Sequence, residues 1–496
     1  MIYLLVIILT YLVHLYLKRN HTIWRKQGIK GPAAIPILGN FAPIFFLMET
    51  FPDYIRRIYE LYPDEKVVGL FQGYRPTLLL KDPEIIKQVL IKDFHIFPNR
   101  GITPARGKFN ENLIVSNDTT WKVLRQNLTQ VFTSKKLKDM FPLMQKSAEN
   151  YIYSVQNLIK ENKEQEMKQL AENYTTQATT ICTFSIDTNP FNKKNNEFCQ
   201  ATKMMTTPVL STKLSLILNI IFPGIRRYIY TNLRAERYFT NLINNIIKKK
   251  SLIVRQSKDI LDLLINYRNR GKMSTRGESG TAEIDLNEEL LIAQVTIFYF
   301  AGVEPSAWLI AYILHELSLN QKIQDNLYDE ICKVTIKHND KLTYDSINGM
   351  TYLDMVMNET LRRYPIATTV LRKCNTDYIV PGTKVFIPKD TAIIIPIGGL
   401  LSDPKYFTNP EIFNPENYSP ENKQKIQQCV DLSFGEGPRN CIGMRFAIMM
   451  TKIAVVEFIR KFKVHPSPKT KLQFELQNFT LLYASKDGIW LNVTPR

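Results

Sequence analysis

From Leu290 to Leu314 the chain reads LLIAQVTIFYFAGVEPSAWLIAYIL, an apolar stretch in which Glu304 is the sole charged residue. A helix of that composition is stable in two settings: it crosses a bilayer, or it runs through a domain thick enough to cover it on every side. Gln294, Glu304 and Pro305 interrupt the run, which favours the core helix. The rest of the chain must then supply a thick shell. Its 496 residues, 45% hydrophobic and 11% aromatic, are enough. Helical patterns recur from Trp121 to about Leu264, and no linker, low-complexity block or repeat interrupts the chain after about residue 40. Strand signals are local. Val67 to Leu80 reads as a small sheet, followed by a helical pattern from Pro83 to Ile91, and Val370 to Ile397, with its IVPGTKVFIP turn, reads as a second sheet. The expectation is a mainly α fold with small β-sheets, as one domain over residues 41–496.

Residues 1–17, MIYLLVIILTYLVHLYL, carry no acidic or strongly basic group and run straight into Lys18 and Arg19. At about 1.5 Å per residue this helix is slightly short for a hydrocarbon core of about 30 Å, with Trp24 and the basic flank placed at the interface. A cleavable signal peptide would need a charged start and a small-residue cleavage site, and neither is present. The reading is a single N-terminal transmembrane anchor. Lys18, Arg19, Arg25, Lys26 and Lys30 then place the domain on the cytosolic side. Residues 18–40, with Gly28, Gly31-Pro32, Pro36 and Gly39, read as a basic, proline-rich hinge.

Lys and Arg outnumber Asp and Glu by 64 to 46, a net charge of +18 that suits anionic lipid or an acidic protein partner. Nucleic acid is disfavoured, because the longest basic run, Lys248 to Lys250, ends a helical pattern without interleaved aromatics. The six cysteines show neither CxxC spacing nor a compact framework, as expected of reduced cytosolic thiols, and the six scattered histidines offer no zinc spacing. Any metal would arrive with a cofactor.

The most informative segment is Phe434-Gly435-Glu436-Gly437-Pro438-Arg439-Asn440-Cys441-Ile442-Gly443, which leads directly into the helical MRFAIMMTKIAVVEFIRKF. A cysteine at a helix start has its thiolate favoured by the dipole and unpaired N–H groups, which lowers its pKa. The glycines would let backbone come close to a flat ligand and aim amides at the sulfur. These residues match F-x-x-G-x-R-x-C-x-G at every defined position, and the chain resembles the cytochrome P450 family. That resemblance implies the cytochrome P450 fold and a haem b cofactor, iron protoporphyrin IX, with Cys441 as the metal ligand whose thiolate favours O–O cleavage. It also assigns Phe434 and Gly437 to the cofactor loop and Arg439 to a propionate.

Further matches follow in order. Glu359 and Arg362, three apart in YLDMVMNETLRRYP, look like the E-x-x-R pair that braces the haem-side core. Trp121 and Arg125 look like W-x-x-x-R, with the arginine on a propionate, and Arg372 looks like another propionate arginine. Ala301-Gly302-Val303-Glu304 resembles the family's oxygen-binding bend, which makes Ala301, Gly302 and Glu304 the catalytic candidates, the glycine letting the helix pass close to the haem. Segments such as LLLKDPEIIKQVLIKDF and DPKYFTNPEIFNPENYSPEN look most like insect microsomal members, among them enzymes acting on plant toxins, insecticides and hormones.

The chain also departs from the pattern. Pro305 stands where threonine is usual, so that hydroxyl is missing, the carbonyl of Ala301 loses its helical donor, and a bend should persist or sharpen. Ser306 lies about 100° further round the helix and is no simple substitute. Water held between Glu304 and the Ala301 carbonyl is the expected relay. Asn417 stands where arginine is usual, leaving Glu359 one cationic partner and predicting looser haem retention, while Ser433, in place of a common proline, should loosen the loop.

The resemblance implies an NADPH- and O2-dependent monooxygenase of small lipophilic substrates in the endoplasmic reticulum (microsomal) membrane. Electrons would come from NADPH-cytochrome P450 reductase, with cytochrome b5 as an accessory partner. The alternatives are a reductase-independent isomerase or dehydratase of peroxides on the same fold, and a haem protein that binds hydrophobic ligands without turnover. Substrate contacts are expected around Gly101 to Leu113, Met204 to Leu218 and Val295 to Gly302.

Overall fold

A computed structural model of the chain describes Tyr3 and residues 21–191, 196–251, 259–277 and 280–496. Apart from Tyr3, the expected anchor at residues 1–17 lies outside the described residues. The hinge is described from residue 21 and is seated on the domain. Trp24 is buried at 2% exposure, its indole donating to the Leu70 carbonyl at 2.9 Å. The indole therefore belongs to the core, not to a membrane interface as the sequence suggested, because the Gly69 backbone lies close enough to seat it.

The helices that matter for the site are α1 (Phe51–Leu61), α2 (Asp118–Thr129), α3 (Ser134–Glu161), α4 (Met167–Phe184), α5 (Leu210–Ile221), α6 (Glu288–Leu319), α7 (Thr351–Arg363) and α8 (Met444–Lys461). The long apolar run lies in α6, which is buried on almost every side, with α4, α7 and α8 packed against it. By length and composition α6 and the stretch Glu197–Ile221 could each cross a membrane, but α6 is a core helix. It starts with Asn287 accepting from the Leu290 N–H. Pro305 does not break it. The helix stays continuous across the proline, held there by α4, where the Thr175 hydroxyl donates to the Val303 carbonyl at 3.1 Å. Packing supports the helix at the position where one intrahelical bond is missing.

Strands β1 (Val67–Gln72) and β2 (Arg75–Leu80) form the hairpin read from the sequence. Later strands are β3 (Glu164–Glu166), β4 (Lys272–Gly277), β5 (Gly280–Asp285), β6 (Thr369–Lys373), β7 (Tyr378–Ile379), β8 (Phe386–Ile387), β9 (Ala392–Pro396), β10 (Phe462–Pro466) and β11 (Trp490–Pro495). The Val370–Ile397 region does not make a separate sheet. Its β9 pairs parallel with β2 and antiparallel with β6, giving the order β1-β2-β9-β6, and only β7 and β8 stand apart as a pair. Register is set by burial: Leu78, Leu79, Ile393 and Ile395 are all fully covered. Sheets β10-β11-β3 and β4-β5 had no clear signal in the sequence.

A buried lysine secures α1 on this sheet. Lys81 is 5% exposed and donates to the carbonyls of Tyr59, Tyr62 and Pro63 while lying over the Tyr59 ring. It caps the negative end of the helix with a cation, and burial pushes its pKa down.

Candidate haem-thiolate site

The loop before α8 is a tight cradle. The Cys441 N–H donates to the Phe434 carbonyl at 2.8 Å, closing the loop, while Gly435 and Gly437 take φ of +71° and +74°. A Cβ on Gly437 would lie 2.0 Å from the Leu90 carbonyl oxygen. This glycine therefore serves close packing against the Leu90 backbone in the helical turn Gln88–Lys92. Ser433 is not loose: its hydroxyl and N–H both donate to Asp431 Oδ1, at 2.7 and 3.1 Å.

Cys441 is exposed, whereas the other cysteines are buried or half-buried. Its sulfur faces an opening in the protein, but the walls desolvate it. Burial raises the thiol pKa, opposed by a backbone hydrogen bond from Gly443 and by the charges of Arg125 and Arg100. Desolvation outweighs the backbone hydrogen bond and the two cations, so the free thiol pKa lies above its ordinary value.

Four guanidinium groups gather beside this loop. Arg439 is 3% exposed, donates to the Ser116 carbonyl at 2.7 Å and lies 4.4 Å over the Trp121 ring. Arg125, one turn beyond Trp121 on α2, donates to the carbonyl and Oδ1 of Asn440 at 2.8 and 2.6 Å. Arg372 on β6 is 2% exposed, and among the described residues its side chain donates only to the Leu371 carbonyl. Arg100 was missed by sequence reasoning; its Nη2 donates to the Arg439 carbonyl at 3.2 Å. Only a lone arginine in a Phe-Pro-Asn-Arg-Gly turn marked it.

These cations repel one another. Burial, with Arg100 and Arg125 adding and Asp118 opposing, pushes Arg439 down to about 9, and burial with Arg100 and Arg439 pushes Arg372 well below the usual arginine range. The Nε atoms of Arg372 and Arg439 are buried without hydrogen-bond partners. Orphaned donors in a cluster of like charge call for an anion with several oxygens on one edge. A flat dianion with a metal centre over the Cys441 sulfur meets every condition, and the two propionates and iron of a haem are such a group.

Across the opening, α6 presents exposed Ala301 and half-buried Phe298 and Pro305. Gly302 faces the other way: a Cβ there would lie 3.2 Å from the Thr179 side chain. The glycine permits close α4–α6 packing. Glu304 is also turned toward α4, Oε1 accepting from the Trp308 indole at 2.9 Å and Oε2 from Lys168 at 3.1 Å. Both oxygens are engaged there by side-chain donors. Ser306 is buried with an unpartnered hydroxyl, away from the opening.

Below the loop the Glu359–Arg362 pair is fully buried and bidentate, at 2.8 and 2.8 Å. Arg362 also donates to the carbonyls of Leu401, Pro410 and Ile412. Asn417 Nδ2 donates to both Glu359 oxygens at 3.2 Å, and the Asn414 N–H adds a third bond. The network is complete in hydrogen bonds with one cation.

The family model for "Cytochrome P450" matches residues 29–491. The chain belongs to the cytochrome P450 family. Among curated relatives it is 34% identical to Cytochrome P450 6B1 of Papilio polyxenes, over 100% of both chains. It is 32% identical to Cytochrome P450 6B2 of Helicoverpa armigera, over 98% of this chain and 96% of that one. It is also 34% identical to Cytochrome P450 6k1 of Blattella germanica, over 98% and 95%. Family membership implies a haem cofactor and the monooxygenase class, which the cradle and its arginine edge fit.

Proposed function

We propose that this P450 is an NADPH- and O2-dependent monooxygenase of lipophilic compounds, with Cys441 ligating the iron of haem b. The observation that carries the reading is the cluster of Arg100, Arg125, Arg372 and Arg439, with two orphaned Nε atoms, beside a glycine-cradled cysteine. The haem supplies oxygen activation when bound. The chain's own residues set its position: Trp121 holds Arg439 flat, Arg125 fixes Asn440 next to the cysteine, and Glu359–Arg362 braces the segment that carries Pro410 and Ile412.

The substrate class is lipophilic xenobiotics, such as plant toxins or insecticides, or hormones and lipids. Half-buried Phe109 and Phe300, which pack on the fully buried Phe239 at ring spacings of 6.2 and 5.2 Å, support it. Electrons come from NADPH through NADPH-cytochrome P450 reductase on the basic face around the loop, with cytochrome b5 as an accessory donor. Residence in the endoplasmic reticulum membrane, catalytic domain toward the cytosol, is supported by the apolar residues 1–17. It is also supported by the exposed apolar groups Phe46, Met48, Leu210 and Phe222 on and beside α5.

The deciding experiment is a reduced carbon-monoxide difference spectrum of membrane-expressed protein beside Cys441→Ala. A long-wavelength Soret band lost in the variant is expected; folded protein without the band would refute the reading. Pro305 favours one second reading, rearrangement of a substrate already carrying an O–O bond, which needs no proton donor on α6. Turnover independent of NADPH would select it.

A further inference from the structure

Beyond α5 the chain passes through the helical turn Ile225–Tyr228 into the helix Leu233–Ser251. Two hydrogen bonds tie this connection to other parts of the fold. The Arg106 N–H donates to the Ile229 carbonyl at 2.9 Å, joining it to the loop 101–113. Gln72 Nε2 donates to the Asn219 carbonyl at 2.9 Å, seating the end of α5 on the β1–β2 turn. The turn Ile225–Tyr228 is therefore a seam between α5 and the loop 101–113, two of the segments in which substrate contacts are expected.

Three arginines stand along this seam, and two of them are held by neighbours. Arg106 lies 4.8 Å over the Tyr230 ring, and Arg227 Nε donates to the Gly224 carbonyl at 3.0 Å. Arg226 is different. It is half-buried, its Nε is shut off from solvent, and among the described residues its side chain has no hydrogen-bond or ion-pair partner. Desolvation alone pushes its pKa down, with no acid acting on it, and Glu236 in the first turn of the next helix lies against Gly107 instead. A guanidinium withdrawn from water without an acid carries a cost that an incoming anion offsets. The surroundings are apolar: Leu218, Phe222 and Tyr228 are exposed on one side of the seam, and Phe109 is half-buried on the other. An anion that suits both features is apolar over most of its length and ends in a planar pair of oxygens that matches the guanidinium fork.

We propose that Arg226 selects lipophilic carboxylic acids as substrates, its guanidinium taking the carboxylate at the seam while the apolar body lies between α5 and the loop 101–113. The proposal rests on the monooxygenase reading and narrows its substrate class. Arg226 is a specificity-determining residue in it: no bond forms or breaks there. Holding the carboxylate at the seam fixes how far along the molecule oxidation falls, and an ester of the same acid loses the charge-assisted pair.

The test uses the full-length holoenzyme in nanodiscs of neutral lipid, as wild type, Arg226→Met and Arg226→Lys, with 4-hexylbenzoic acid and its methyl ester as probes. Dissociation constants are read from the substrate-induced shift of the haem Soret band. Wild type should bind the acid about tenfold or more tightly than the ester. Arg226→Met should weaken the acid by about that factor, leave the ester and the reduced carbon-monoxide spectrum unchanged, and spread oxidation over more positions of the acid. Arg226→Lys should keep part of the preference. An acid-to-ester ratio that is the same in wild type and Arg226→Met would overturn the proposal, as would equal weakening of both probes with lower thermal stability. So would an effect of Arg226→Met confined to binding of phosphatidylserine vesicles, which would make the residue a lipid contact. A wild type that lacks the thiolate carbon-monoxide band would instead sink the monooxygenase reading, and equilibrium dialysis of the two probes would still report on Arg226.

Discussion

Replacing Arg362 with methionine gives the most demanding check on the haem-side brace. The change removes five hydrogen bonds: two to Glu359 at 2.8 Å and three to the carbonyls of Leu401, Pro410 and Ile412 at 3.0, 2.8 and 3.2 Å. The fully buried Glu359 carboxylate keeps only Asn417 and the Asn414 N–H, and no cation. Stranding a buried charge in this way costs about 3–5 kcal/mol. An arginine at position 417 would have cushioned that loss; the amide does not. Because the pair itself is offset by its own desolvation, Glu359→Met/Arg362→Met should be less destabilised than the sum of its single variants by about 2 kcal/mol or more. Urea midpoints of the four proteins in one double-mutant cycle, read by circular dichroism with haem loss followed in parallel, measure both quantities. A loss below about 1 kcal/mol in Arg362→Met, or strict additivity in the double variant, refutes the reasoning.

Other consequences are quickly checked. Asn417→Leu should cost about 2 kcal/mol and speed haem transfer to an acceptor globin, while Asn417→Arg should slow that transfer if the second cation fits; unchanged transfer in Asn417→Leu counts against any role of Asn417 in retention. Lys81→Met should lower stability by about 2 kcal/mol by uncapping α1, measured as the shift in urea midpoint. His315 is 1% exposed with both ring nitrogens unpartnered, and burial, with Arg363 adding, pushes its pKa from 6.5 down to about 4. The unfolded chain therefore takes up this proton first, so stability is full above pH 6.5 and falls by about 3 kcal/mol as pH drops toward 4. His315→Phe should flatten that slope, and an unaltered acid limb argues against it.

The thiolate loop was legible because its determinants are consecutive: glycines, an arginine and a cysteine ahead of a helix start. The Glu359–Arg362 pair and the Trp121–Arg125 turn were legible for the same reason, each lying within one turn of helix. Arg100 was not, since its meaning depends on a 3.2 Å contact with a carbonyl far along the chain. Gly302 and Gly437 were singled out as glycines, but their protein neighbours Thr179 and Leu90 were not, because absence of a side chain does not tell which surface comes close. Glu304 was found as an acid, but its direction depended on Lys168, 136 residues away and joined to it by no spacing rule, as well as on Trp308 one turn along α6. The strands of Val370–Ile397 were read correctly as strands and joined to the wrong sheet, because pairing of β9 with β2 is a long-range choice made by burial. Helix α6 was placed in the core from its polar interruptions alone, and the packing agrees.

The four guanidiniums bear on more than ligand binding. Without an anion among them, the folded chain holds mutually repelling buried cations and orphaned N–H groups, a cost that an unfolded chain in water does not carry. Whatever dianion settles there is thus part of the folding equilibrium, and its free concentration enters stability as RT ln(1 + [L]/Kd). A cell short of haem would hold this protein in its less stable form, open to proteolysis, so the amount of protein that persists becomes a readout of cofactor supply. The arginine edge thus couples stability to ligand supply, and protein made with limiting haem is expected to unfold at a lower urea concentration than protein made with haem in excess.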